Sequence, residues 1–262
     1  MSRAYGYVRD AISSVWISGV DKEQEGYSRE IAGAMLLEAD EFFDRALMLF
    51  LLRLRLRELQ ASTWSGVAAY YSNYFAATSF IRLHMRSVTH LPMGDSYDVS
   101  RVHDATPIFR VRQRRSRLGH TEIWKQYYDL TNQMGWPDSV TVNELAPAAA
   151  TLRFREQMYR ERINYRPGEG FEEIYQSRSR YLRTLGEALR DDGQQPLALS
   201  ESAYTDRMAA RRLGHVGKLL RRLSALRADR DFENRCWIRR TTLIEKYTRG
   251  SAEKREANSL VS

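Results

Sequence analysis

Apolar residues recur at helical intervals along most of this chain. Between residues 28 and 60 a helical repeat puts Leu49, Leu52, Leu56 and Leu59 on one face. The stretch 51-LLRLRLREL-59 also alternates with period two, and its length decides for helix. Ser62 and Thr63 are suited to capping a following helix over 64–91, whose face carries Trp64, Val67, Ala68, Tyr71, Tyr74, Phe75, Thr78 and Ile81. Small residues in that helix, Gly66, Ala68, Ala69, Ser72, Ala76 and Ala77, allow a neighbouring helix to approach closely. The pattern then breaks. Two β-rich runs flank HDATP within 97–115, which predicts a hairpin or an irregular insertion. Helical spacing resumes over 121–134, over 147–165 with Pro147 in the first turn, over 171–189, and after the break 191-DDGQQP-196 over 201–227 and 229–248. The predicted fold class is mainly α: a helical bundle over 1–190 with a β-rich or irregular basic insertion near 95–117, then a helical C-terminal extension over 197–248. The tail 250–262 lacks apolar periodicity and is expected to be disordered.

Composition narrows the classes of function. With 43% hydrophobic and 28% charged residues among 262, the chain can bury a core, and six Pro and 15 Gly leave few helix breakers. A single cysteine, Cys236, excludes an intrachain disulfide framework or a cysteine-rich zinc site. The longest apolar run, 46-ALMLFLL-52, is far short of a membrane span and is closed by Arg45 and Arg53. MSRAYGYVRD has no apolar signal core, so the expected location is cytoplasmic, without a membrane partner. The net charge of +8 favours a polyanion, and its distribution sharpens that inference. Six arginines crowd 101–117 beside one acid, and 207–228 holds six Arg and one Lys with no acid.

Two stretches carry a resemblance. The run 68-AAYYSNYFAATSFIRL-83 resembles the AYYAxFxAAxALL helix of HEPN domains, and 160-RERINYRPGEGFEE-173 resembles their later RxxADYxPxxxFxxE helix end, within a span of about 25–190. The resemblance implies a HEPN-like helical bundle, a homodimer, and an antitoxin or defence-system protein as partner. It also implies RNA binding, with metal-independent endoribonuclease activity in a bacterial defence or toxin-type system and no cofactor. In the active form of that family an arginine stabilises the phosphorane while a histidine four to six residues on moves protons, so no metal is needed. Here the seam reads Arg160, Asn164 and Tyr165, with Glu161 after the arginine and Tyr165 where the histidine belongs. An ordinary tyrosine, with a pKa of about 10, is a poor base near neutrality. The alternative is therefore a non-catalytic helical subunit that binds a protein or nucleic acid, its HEPN site degraded. If the resemblance holds, the 64–91 and 147–165 helices pack together and bury Tyr71, Phe75, Met158 and Ile163.

A second catalytic candidate has the same spacing. Arg115 and His120 satisfy Arg-x4-His within 114-RRSRLGHTEIW-124, against the plainer reading of a solvated basic loop. His84, His90 and His103 fit ordinary histidines, and no P-loop, Rossmann glycine pattern or metal-ligand spacing is present. For nucleic acid, RNA favoured, the candidates are Arg110, Arg112, Arg114 and Arg117, together with Arg211, His215, Lys218 and Arg222. The latter four fall at i, i+4, i+7 and i+11 on one helix face, which fits phosphates or a plain solvent face.

Overall fold

The computed structural model describes residues 6–15, 23–59, 61–90, 96–103, 105–114, 119–134, 201–227 and 230–248, with residue 250 and five of residues 254–260. Among them the order is α1 (Tyr7–Val15), β1 (Glu23–Tyr27), α2 (Arg29–Glu58), α3 (Ser62–Leu83), β2 (Arg86–His90), β3 (Ser96–His103), β4 (Thr106–Arg114), α4 (His120–Gln133), α5 (Glu201–Arg227) and α6 (Arg230–Tyr247). Helix dominates, joined by one antiparallel sheet in the order β1-β4-β3-β2. The helices expected over 147–165 and 171–189, and with them Met158, Arg160, Ile163, Asn164 and Tyr165, lie outside the described residues.

Helix α2 begins where the Ser28 side chain accepts the Ile31 N–H, a side-chain cap for an otherwise orphaned donor. Its buried face carries Phe42, Phe43, Ala46, Leu47, Phe50 and Leu51. The expected stripe is displaced: Leu49, Leu52 and Leu56 are only partly buried and Leu59 is exposed. Helix α3 lies against α2 along its small residues. There the Ser72 hydroxyl donates to the Ala46 carbonyl at 2.8 Å and that of Ser79 to the Ala39 carbonyl at 2.6 Å. Bulky side chains on that face would hold the backbones too far apart for either bond. The cap expected at Ser62 or Thr63 falls to Ala61, without a side-chain bond.

The expected helix over 64–91 is corrected at its end. Helix α3 stops at Leu83, and Arg86–His90 is instead the edge strand β2, paired with β3. Met85, with φ of 55°, makes the left-handed turn between them, and its carbonyl accepts the Arg101 N–H at 3.0 Å. Arg82 braces the junction. It donates to buried Glu38 at 2.7 Å and to the Arg86 carbonyl at 3.1 Å, while Glu38 also accepts the Val8 N–H at the start of α1. The hairpin expected within 97–115 is present as β3 and β4, and β1 adds itself to β4.

Two apolar clusters result. A smaller one joins α1 and the start of α2 to the inner face of the sheet through Val8, Ile12, Met35, Val99, Phe109 and Val111. The larger joins α2, α3, α4, α5 and α6. Helix α5 is therefore built into the same core as α3, contributing Met208, Leu213, Val216 and Leu220. The tail departs from the expectation of disorder: Ala257 and Leu260 are buried in this core, where Gly214 and Gly217 leave room for Leu260.

Candidate nucleic-acid interface and the His120 cluster

The arginines of β4 alternate with apolar residues. Phe109 and Val111 point into the core, which turns Arg110, Arg112 and Arg114 to the outer face. Antiparallel register then sets carboxylates against them. Arg110 meets Glu23 at 3.1 Å and Glu25 at 2.5 Å, Arg112 meets Asp98 at 3.5 Å, and Arg114 meets Asp98 at 2.7 Å and Glu122 at 3.3 Å. The hydrogen bond and charge of Glu25 push the Arg110 pKa further up. These three cations are thus held by acids that a phosphate would have to displace. Arg115 and Arg117 lie outside the described residues.

The α5 stripe divides in two. Arg211 and His215 are half-buried and engaged with other groups, whereas Lys218 and Arg222 are exposed and have no ion pair among the described residues. Between them Arg221, also exposed, lays its guanidinium over the Trp237 ring of α6 at 5.1 Å. Trp237 is 39% exposed and its neighbour Ile238 63%. Helix α6 is fixed beneath this surface by Arg240, which donates to Asp44 at 2.9 Å, pairs with Asp40 and stacks over Phe43. Burial raises the Asp44 pKa against the lowering effect of Arg240. Cys236 lies in the same seam, and burial, with Asp40 beside it, pushes its thiol up to about 11, far from a reactive thiolate.

His120 opens α4 and is half-buried among aromatic rings of α3. Its Nδ1 lies 2.6 Å from the Tyr70 hydroxyl and its ring stacks on Tyr74 at 4.5 Å. Trp124 Nε1, which can only donate, points at the same Tyr70 oxygen at 3.4 Å. The Tyr70 hydroxyl thus joins the His120 imidazole and the Trp124 indole in one hydrogen-bonded cluster, and the imidazole tautomer decides which of Tyr70 and His120 donates. Deeper in the same seam Arg212 is buried. It donates to Asn73 at 2.8 Å and Tyr128 at 3.2 Å, and it lies over Trp124 and Tyr127 at 5.0 and 4.9 Å.

The remaining histidines are scattered. His84 bonds the Phe80 carbonyl within its own helix, His90 bonds Ser96 across the β2–β3 pair, and His103 is exposed at the end of β3. Among the described residues no group of three or more His, Cys, Asp or Glu could hold a metal ion, and no helix is long and apolar enough to cross a membrane. Sequence reasoning missed Arg221, Trp237 and the buried Arg212. Arg212 sits one residue beyond Arg211, and only the apolar phase of α5 distinguishes an inward arginine from an outward one.

Fold and surface define a mainly helical protein with a small antiparallel sheet and an exposed cationic–aromatic face on α5 and α6. No protein-family model, curated protein or solved structure matches the chain.

Proposed function

We propose that this protein binds nucleic acid, RNA favoured, through the C-terminal half of the α5 stripe and without catalysing its cleavage. One observation carries the reading: Lys218 and Arg222 stand exposed with no carboxylate partner among the described residues, while the arginines of β4 are each held by acids. Exchange of a protein ion pair for a phosphate gains little, whereas a solvated cation that meets a phosphate releases counterions. The HEPN resemblance supports RNA over DNA. Its first stretch lies mainly in α3 and its second lies outside the described residues.

The test is binding of labelled RNA to the full chain by fluorescence anisotropy over a series of salt concentrations. Lys218→Ala with Arg222→Ala should weaken binding to all sequences alike and reduce the salt slope by roughly 1.5, from about 0.7 per phosphate contact on a single strand. Unchanged affinity and slope would overturn the assignment.

Cleavage is the second reading, and it too has an observation behind it. His120 stands at the N-terminus of α4, where helix geometry favours an anion such as a scissile phosphate. Against it, His120 is half-buried, with its Nδ1 hydrogen-bonded to the Tyr70 hydroxyl and its ring stacked on Tyr74. If the family chemistry did operate here, Arg115 would be the phosphate stabiliser and the product would carry a 2′,3′-cyclic phosphate. A wild-type protein that leaves RNA intact fits the binding reading. Cleavage that falls about 10²–10⁴-fold in His120→Ala would replace it with the catalytic one.

A further inference from the structure

An aromatic ring set among phosphate-binding cations has a different use from the cations alone. Lys218, Arg221 and Arg222 lie at i, i+3 and i+4, so they share one stretch of the α5 surface, with Lys218 and Arg222 about 6 Å apart along the axis. Arg221 extends this patch to α6, where its guanidinium covers part of the Trp237 ring and leaves the residue 39% exposed. Buried Cys236 and Arg240 face inward from the same helix, with Arg240 tied to Asp40 and Asp44. The indole is thus carried on an anchored helix and not on a loose loop.

A duplex keeps its base faces stacked on one another, so a flat indole offers it almost nothing. A single strand presents base faces and phosphates together, and ring plus cation is the combination that holds it. We propose that the α5–α6 surface takes single-stranded nucleic acid in preference to duplex, with Trp237 stacking a base while Lys218 and Arg222 bind the flanking phosphates. The proposal rests on the nucleic-acid reading above. Arg221 has a double role here: it fixes one side of the indole and brings a positive charge to the ring. An apolar protein partner would instead have to cover Trp237 and Ile238 while desolvating Arg221, and the charge at the centre of the patch argues against that occupant.

The experiment uses the full chain at low salt with a labelled single-stranded RNA of about twelve nucleotides, within the usual footprint of such surfaces, and a blunt duplex of the same sequence. The single strand should bind roughly tenfold more tightly or better. Trp237→Ala should weaken it by roughly 5- to 100-fold, the usual loss of one stacked base, and leave duplex binding almost unchanged. Trp237→Phe should retain most of the binding, which separates lost stacking from misfolding. Ile238→Ala should have no effect, because an aliphatic side chain cannot stack. If Lys218→Ala with Arg222→Ala weakens binding while Trp237→Ala does not, the phosphate-binding reading stands and the single-strand inference is overturned. If neither variant matters, both fall. Equal losses from Trp237→Ala and Ile238→Ala would mark an apolar docking face for protein and also overturn the inference.

Discussion

The ion pair between Arg53 and Asp206 is a direct test of how α5 is held in the core. Arg53 interrupts the longest apolar run of the sequence, yet it is fully buried, where its guanidinium pairs with Asp206 from the first turns of α5 and stacks on Phe50 at 4.6 Å. Asp206 also accepts from the less buried Arg57 at 3.0 Å, and it is itself buried. Asp206→Asn removes the charge and keeps the shape. Loss of one partner of a buried pair costs about 3–5 kcal/mol, because the other charge remains out of water. The Arg57 contact adds less than about 1 kcal/mol, since that side chain is more exposed. A loss near 3 kcal/mol is a large share of an ordinary stability of about 5–15 kcal/mol, and for a chain of this size it lowers the melting temperature by roughly 6–12 °C. Urea denaturation followed by circular dichroism measures it directly. Replacing both partners, Arg53→Met with Asp206→Leu, should recover most of the loss, since the desolvation cost goes with the charges. The reasoning is refuted if Asp206→Asn costs less than about 1 kcal/mol, or if the double variant is no more stable than the single one.

Two further outcomes are expected. Gly217→Ala should release the tail, because a Cβ there would collide with the Leu260 carbonyl and press on Phe43 at 3.3 Å. The overpacking cost of about 1–3 kcal/mol outweighs the gain of at most about 1 kcal/mol in helix propensity. Hydrogen exchange at 257–260 should therefore rise, and tail protection equal to wild type would count against the packing described. His84 should make stability depend on pH. Burial holds its pKa below the ordinary 6.5, with Arg86 and Arg101 acting in the same direction against the opposing hydrogen bond to Phe80. The unfolded chain then binds the proton more readily than the folded one, so stability falls as pH drops below 6.5 toward the folded value. His84→Gln should flatten that part of the pH–stability curve, and an unchanged slope would assign it to another group.

Much of the helical framework was legible because helical periodicity is local. The extents of α4, α5 and α6 follow from apolar spacing within each segment, and the small residues of α3 foretold the close approach of a neighbouring helix, which the structure identifies as α2. The missed features depend on partners distant in sequence. Glu23–Tyr27 has no apolar alternation to mark a strand; it becomes β1 because β4 offers it an edge, with Arg110 beside Glu23 and Glu25. Arg86–His90 continues the helical phase of α3 in the sequence, but pairing with β3 and the Met85 turn take it into the sheet. The leucine stripe of α2 was misplaced for a related reason. Its buried face is set by the phenylalanines at 42, 43 and 50 and by Arg53, whose carboxylate lies on a helix well over a hundred residues later.

The candidate site shows the same limit in terms of charge. Two arginine-rich stretches looked equivalent in the sequence, one over 101–117 and one over 207–228. Strand register sets Glu23, Glu25 and Asp98 against the first, and α4 adds Glu122. In the second, helical phase turns Arg212 inward onto Asn73 and the aromatic rings, and leaves Lys218, Arg221 and Arg222 outward. Formal charge therefore overstates the cationic surface of the sheet, while that of α5 remains exposed. A polyanion approaching this protein gains most where cations lack carboxylates, and on the described surface that condition coincides with the exposed indole of Trp237. The coincidence of exposed cations and an open aromatic ring, more than the net charge of the chain, makes α5 and α6 the face on which binding should be measured first.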